Sequence, residues 1–332
     1  RIHFNFEKMM VDEDLANQIV VNSINLYTKP IRPRFSVFTP TYKTNDRIYR
    51  TYEGLKNQVF TNWEWVVVDD SPDDNTWNIL QKIAESDYRV RPHRIYPLSE
   101  GNIGLAKHRA AILCDGDWLI ELDHDDTLLS ECMSTCNDAI LQFPDAGFLY
   151  TDCCEMYDDG EMKFWDHNWD GDWYARHDNY FDFGYAGHTW VITDGKKYLK
   201  HWYPEVNPLT IRFNISMPNH ARMWSREVYH KINGHNKHTP VADDFEILQR
   251  TFLETRFIHV RKLLYLQYNN RNSTVDNNSI DINRRARLIR DYYDLAVHNR
   301  ILELGFHDWN WDEVAGHSQR FQKAIPNETL PI

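Results

Sequence analysis

Short apolar runs alternate with helix-like stretches along most of the chain. Residues 35–39, 65–68, 93–96, 118–122 and 147–151 are the strand-like runs, rich in Val, Ile, Phe and Trp. Between them, residues 46–58, 74–86, 104–114 and 128–142 carry apolar positions at helical spacing. Strands that alternate with helices at this interval predict βαβ units and a mostly parallel sheet, and the largely apolar runs predict strands covered on both faces.

Beyond residue 152 the pattern loosens into an aromatic, Asp-rich region with a short strand signal at 189–193. A helix is expected to start near Asp243, a strand at 256–260, and a long helix over 283–304 with Leu288, Tyr292, Leu295 and Ile301 as its apolar positions. At the other end, Leu15, Ile19 and Val20 read as one helical face, and the prolines at 30 and 33 mark a linker. The organisation predicted is therefore a helical extension and linker over 1–33, an α/β domain over 34–270 and a C-terminal helical extension over 271–332. The α/β domain divides into halves at 34–150 and 151–270.

Composition narrows the chemistry. The net charge of −12 argues against a nucleic-acid partner, since such proteins display a basic stripe. Aromatic residues reach 14%, enough to supply flat rings for sugars or bases as well as core. No run approaches the roughly 18 apolar residues of a membrane span. The five cysteines are an odd number at irregular spacing and contain no Cys-x-x-Cys pair, so reduced, buried thiols in a cytoplasmic protein are expected over zinc or a disulfide framework. A start at Arg1, without Met, leaves room for a neighbouring domain before it.

Four segments carry candidate chemistry. Asp69 and Asp70 follow the apolar run 66–68 at a strand end, where open α/β sheets bind ligands; the same residues with Ser71 and Pro72 would also build an ordinary turn. Asn102, Gly104 and Arg109 lie in a glycine-containing loop and helix start, which favours anions at its N-terminus but also occurs without any ligand. Asp123, Asp125 and Asp126 crowd one strand end. In an extended chain, alternation puts Asp123 and Asp125 on one side, where two carboxylates about 5 Å apart repel by roughly 3 kcal/mol at an effective dielectric near 20. A cation relieves that repulsion, and an all-oxygen set suits Mg²⁺ or Mn²⁺. Finally, Asp243 and Glu246 fit a capping box, which leaves the Asp244 carboxylate free to act as a base.

In this order the segments resemble the family 2 glycosyltransferases of GT-A fold. The family's opening Pro-Thr-Tyr is matched by Pro40-Thr41-Tyr42, its Val-Asp-Asp-x-Ser element by Val68, Asp69 and Asp70 with Ser71 following directly, and its Asn-x-Gly with downstream Arg by Asn102, Gly104 and Arg109. Its Asp-x-Asp motif falls on Asp123 and Asp125, and its late acidic pair on Asp243 and Asp244. The resemblance implies an α/β GT-A domain with a Rossmann-like, mostly parallel sheet flanked by helices. It also implies an inverting, metal-dependent transfer of a sugar from a nucleotide-diphosphate donor, UDP by family frequency, to a hydroxyl of a glycan or glycoconjugate. Asp244 would be the base, Asp123 and Asp125 the ligands of Mn²⁺ or Mg²⁺, and Thr39, Pro40, Tyr42, Asp69, Asp70, Asn102, Gly104, Arg109 and Asp123 the donor site. Trp165, Trp169, Trp173 and Asp243 would face the acceptor.

The departures matter too. Asp243 replaces the usual Glu, the Gln-x-x-Arg-Trp signature of processive synthases is absent, and no late-loop His stands near residues 268–271. A cytoplasmic location is expected, with membrane association only through partners. Two rivals are a catalytically silent nucleotide-sugar-binding module and a sugar nucleotidyltransferase. The first would be signalled by missing acids and the second by a Gly-rich loop after the first strand.

Overall fold

The structure is a computed structural model that describes residues 32–163, 188–201, 206, 208, 210–215, 217–269 and 274–305. Its centre is one eight-stranded sheet in the order β3-β2-β1-β4-β9-β6-β10-β5. The strands are β1 (Phe35–Thr41), β2 (Trp63–Asp69), β3 (Val90–His93), β4 (Trp118–Glu121), β5 (Thr127–Leu128), β6 (Ala146–Tyr157), β9 (Arg222–Ser225) and β10 (Arg256–Asn269). A separate hairpin holds β7 (His188–Thr193) and β8 (Lys196–His201). Strands β1 to β4 pair in parallel, as do β6 and β10; β9 lies antiparallel between β4 and β6.

Helices cover both faces. They are α1 (Ile48–Lys56), α2 (Asn75–Ser86), α3 (Ile103–Ala111), α4 (Cys132–Gln142), α5 (Thr210–Phe213), α6 (Arg226–Lys231), α7 (Asp243–Glu254) and α8 (Thr274–Glu303). The apolar runs explain the layering: successive side chains of a strand face opposite sides. In β2, Trp65 and Val67 enter one core cluster while Val66 and Val68 enter the other. β1 divides in the same way, with Phe35 and Val37 on one side and Phe38 on the other.

The sequence pattern misses the true length of two strands. β6 continues to Tyr157 and β10 to Asn269. Both carry charges where an apolar run is sought, and in both the charge is accommodated. Asp152 is buried against His259 at 2.8 Å and Lys200 at 2.7 Å, while Glu155 receives Asn269 at 3.1 Å. Arg261 and Lys262 fall at a register shift in the β6–β10 ladder, so the strand bulges past them and resumes. The four-residue β9, opening on an Arg, has no apolar run to announce it.

The long C-terminal helix also needs correction. Leu288, Tyr292 and Leu295, expected on its packed face, are 62%, 80% and 71% exposed. Ile301, the fourth expected position, is fully buried as expected, and the helix docks through it together with Ala286 and Val297. The expected N-terminal helix over residues 1–33 lies almost wholly outside the described residues.

Candidate active site

The carboxyl ends of β1, β2 and β4 meet along one edge of the sheet, and the first two strands bring the donor-side candidates there. Thr39 is buried and its hydroxyl accepts from Trp65 Nε1 at 2.9 Å, so it holds the strand end in place. Pro40 is half-buried and Tyr42 is 53% exposed just beyond it. Asp69 is fully buried; its Oδ2 takes the Arg94 guanidinium at 2.9 and 3.1 Å, and its Oδ1 accepts from the Ser71 amide. Asp70 accepts from both the amide (2.8 Å) and the hydroxyl of Ser99. These two acids thus fasten the loops after β2 and β3 to the sheet edge.

The glycine-containing loop is built differently from the expectation. Asn102 caps α3, accepting from the Leu105 amide at 3.0 Å and donating to the Lys237 carbonyl at 2.7 Å. The amides of Ile103 and Gly104 donate to the carbonyls of Pro240 and Thr239. The first-turn donors of α3 are therefore taken by the protein, and this helix start is not an open anion site. Gly104 is needed for close approach: a Cβ there would come within 2.4 Å of the Asn236 carbonyl. Arg109 donates to the Pro97 carbonyl at 2.7 Å, alongside the loop that follows β3.

At the end of β4 the chain turns instead of staying extended, and the Asp126 amide donates to the Asp123 carbonyl at 3.2 Å. The turn breaks the alternation that would set Asp123 beside Asp125. Asp125 faces Arg47 at 3.5 Å. Asp123 instead joins Asp126 and His220, whose ligand atoms all lie within 4.8 Å of one another. Asp126 is buried, accepting from Tyr265 Oη and the Tyr268 amide, both at 2.7 Å. Burial first, and then the charges of Asp123 and Asp125, push its carboxyl well above the ordinary range. His220 stacks on Tyr265 with centroids 4.7 Å apart, and Nε2 lies 3.7 Å from Asp123. Burial lowers its pKa to about 4, so the imidazole is neutral at pH 7 and has a lone pair to offer. Two carboxylates and a neutral imidazole with no hydrogen bond to Nδ1 form a donor set that fits a divalent cation.

Behind this edge lies a buried charge network. Lys107 of α3 reaches Glu121 at 2.7 Å and Asp243 at 3.2 Å. Arg222 of β9 joins Glu121 at 2.9 Å to Asp244 at 3.2 Å. Glu121 is held ionised: burial works against the charge, but Arg222 and Lys107 outweigh it and pull its pKa far down. Lys107 is likewise held protonated, with Asp243 and Glu121 overcoming burial.

Three carboxylates share two cations here, and His235, kept neutral by burial, adds no third. The deficit falls on Asp243, whose carboxyl is pushed up to about 6 by burial, despite the pull of Lys107. Ala242, not Asp243, precedes the first turn of α7, and Glu246 pairs with Arg250. The expected capping box is therefore absent, because Asp243 turns inward to Lys107. Asp244 keeps a side chain 31% exposed, anchored by Arg222 and by the Phe245 amide at 2.8 Å.

Trp165, Trp169 and Trp173 lie outside the described residues. Lys107, Glu121, Asp126, His220 and Arg222 were missed as site residues. Asp126 alone had a signal, as the third acid of its cluster; the others are single polar residues whose partners lie elsewhere in the sequence.

A family model described as glycosyl transferase family 2 matches residues 36–188. Hyaluronan synthase of Pasteurella multocida is 22% identical over 90% of this chain and 26% of its own length. Chondroitin synthase of Escherichia coli is 24% identical over 70% of this chain and 28% of its own. The chain thus spans about a quarter of the length of these curated relatives. Among solved structures, Staphylococcus aureus TarS 1–349 in complex with UDP-GlcNAc superposes with a TM-score of 0.56 at 17% identity, covering 81% of this chain and 71% of that one. The arrangement of sheet and helices is the GT-A fold. No helix among the described residues is long and apolar enough to cross a membrane.

Proposed function

We propose that the chain is a family 2 glycosyltransferase, as the match over residues 36–188 supports, and that it transfers a sugar from a nucleotide-diphosphate donor to a hydroxyl of a glycan or glycoconjugate, with inversion. The observation that carries the reading is the partly exposed Asp244 carboxylate, fixed by Arg222 on the same sheet edge as Asp123, Asp126 and His220. Asp244 takes the proton from the attacking hydroxyl. The Arg222 guanidinium, tied also to Glu121, orients that carboxylate before substrate arrives. Direct displacement by the activated hydroxyl inverts the anomeric carbon.

Asp123, Asp126 and His220 are the residues that would hold a divalent cation, with Asp125 beside them. Such an ion supplies charge stabilisation for the departing diphosphate. An imidazole in the set favours Mn²⁺ over Mg²⁺. The donor nucleoside lies against the β1 and β2 ends, between Tyr42 and the loop fastened by Asp70. UDP is the first choice of nucleotide, supported by the TarS 1–349 complexes with UDP and UDP-GlcNAc. The five free, buried cysteines suit a reducing cytoplasm, where we place the reaction.

A donor screen tests the proposal. The protein is incubated with a panel of nucleotide sugars in Mn²⁺ or in EDTA, and released nucleoside diphosphate is measured. Metal-dependent release from one donor supports transfer and names the sugar. Absence of release, together with absence of calorimetric UDP or GDP binding, overturns it.

A further inference from the structure

The buried charges behind the base form a closed ring. Asp244 meets Arg222 at 3.2 Å, Arg222 meets Glu121 at 2.9 Å, Glu121 meets Lys107 at 2.7 Å and Lys107 meets Asp243 at 3.2 Å. Asp243 and Asp244 are neighbours at the start of α7, so the backbone closes a circuit that runs through β9, β4 and α3. Asp243, 3% exposed, presents no surface to an acceptor. Both cations reach Glu121 through Oε1. Its Oε2 accepts no hydrogen bond among the described residues, and Asp243 Oδ2 faces the Lys107 charge without one.

The imidazole of His235 lies against both of these oxygens. Its Nε2 is 3.8 Å from Glu121 Oε2 and 3.9 Å from Asp243 Oδ2, and it too is buried without a hydrogen bond. Such separations are charge–dipole contacts, longer than hydrogen bonds. Behind the imidazole stands Tyr229 of α6, whose hydroxyl accepts from the His235 amide at 3.3 Å and lies 2.8 Å from Nδ1. Gly234, at φ 59°, makes this seat possible: a Cβ there would come within 2.5 Å of the Tyr229 ring. Burial keeps the imidazole neutral, so it carries one proton, and its neighbours decide where. With the proton on Nδ1, the Tyr229 hydroxyl would receive two donors, its own buried proton would have no acceptor among the described residues, and the Nε2 lone pair would face two carboxylates. With the proton on Nε2, Tyr229 donates to Nδ1 and the N–H dipole points its positive end at Glu121 and Asp243. The second arrangement removes all three conflicts.

We propose that His235, through its Nε2–H, is a positioning residue for the base. It steadies the carboxylates of Glu121 and Asp243, and these hold Asp244 from two sides, one through Arg222 and the other through the shared first turn of α7. The role rests on the transfer reading above. A neutral donor suits the place: a third cation would compete with Arg222 for Glu121, whereas an N–H dipole supports that carboxylate and leaves the guanidinium where it is.

Two measurements on the whole chain test this. Long-range proton–nitrogen correlation spectra of the chain with isotope-labelled histidine, the His235 signals assigned by their loss in His235→Gln, should show the proton on Nε2 at pH 7. A proton on Nδ1 overturns the proposal. Turnover of the donor found by screening is then compared in His235→Phe, which keeps a ring without the N–H, and in His235→Gln, whose amide restores a donor. The Phe variant should lose about 10–100-fold in kcat with the donor KM unchanged, and the Gln variant should recover most of that loss. In an Asp244→Asn background the same His235→Phe change should alter turnover by less than about twofold, because no base is left to position. Tyr229→Phe, which removes the hydroxyl that sets the tautomer, repeats the comparison should His235→Phe fail to fold. Wild-type turnover in the Phe variants, or a full loss repeated in the Asp244→Asn background, overturns the proposal while transfer stands. A wild-type chain that releases nucleotide from no donor overturns the transfer reading, and the positioning role with it.

Discussion

The two halves of the sheet edge are built on different plans. On the β1–β3 side each acid is fastened by a partner close in sequence: Asp69 to Arg94 across 25 residues and Asp70 to Ser99 across 29. On the β9–β10 side the partners are remote. Glu121 meets Arg222 across 101 residues and Asp126 meets Tyr265 across 139. The first side works as a rigid frame, while the second gathers charges that only the folded sheet brings together. Charges assembled by long-range topology in a buried setting depend strongly on one another, so substitutions on the second side should cost more than those on the first.

The largest effect is expected at Asp123. Asp123→Ala should abolish metal-stimulated nucleotide release, by at least about 100-fold, and His220→Ala should raise the Mn²⁺ concentration for half-activation at least about tenfold. Metal titrations of release check both; an unchanged metal response in His220→Ala would remove His220 from the donor set.

The next effect is on stability. Lys107→Ala strands Asp243 in the interior and should cost about 3–5 kcal/mol in urea unfolding at pH 7. By contrast, Asp117→Ala removes pairs with the half-exposed Arg32 and Arg34 and should cost less than about 1 kcal/mol. Equal costs would erase the distinction between the two kinds of charge.

The pH dependence is subtler. The Asp243 carboxyl ordinarily titrates at 3.8 and stands at about 6 in the fold, so the folded state holds its proton more tightly. Its contribution is complete below about pH 4 and is lost as pH rises through 6. Asp243→Asn cannot titrate and should therefore gain stability relative to wild type between pH 4 and 7. A difference that is flat or falls over that window would contradict the shared-cation account.

The same contrast explains what could be read from sequence. The parallel half announces itself because each strand is an apolar run and each acid follows directly on one, as Asp69 follows Val66-Val67-Val68. Asp123 is legible by the same adjacency, and Asp244 as the acid that a capping box at Asp243 would leave free. The turn at His124–Asp125 was invisible, since an extended continuation and a turn use the same acidic residues, and its consequence was to bring Asp126 to Asp123 in place of Asp125. Arg222 and His220 flank Ala221 in a segment without periodicity, and only the insertion of β9 between β4 and β6 gives them partners. Nothing in the sequence around Lys107 signals burial; its burial against Glu121 and Asp243 depends on packing of α3 against the 236–240 loop, permitted by Gly104.

The central claim is that Asp244, held by Arg222, is the base. The direct test compares wild type with Asp244→Asn, an isosteric change that keeps hydrogen-bonding shape but removes the proton acceptor. With the donor found by screening, nucleotide affinity by calorimetry should be unchanged while turnover falls about 10²–10⁴-fold. Turnover equal to wild type in Asp244→Asn would contradict the assignment and send the search for a base elsewhere on the sheet edge.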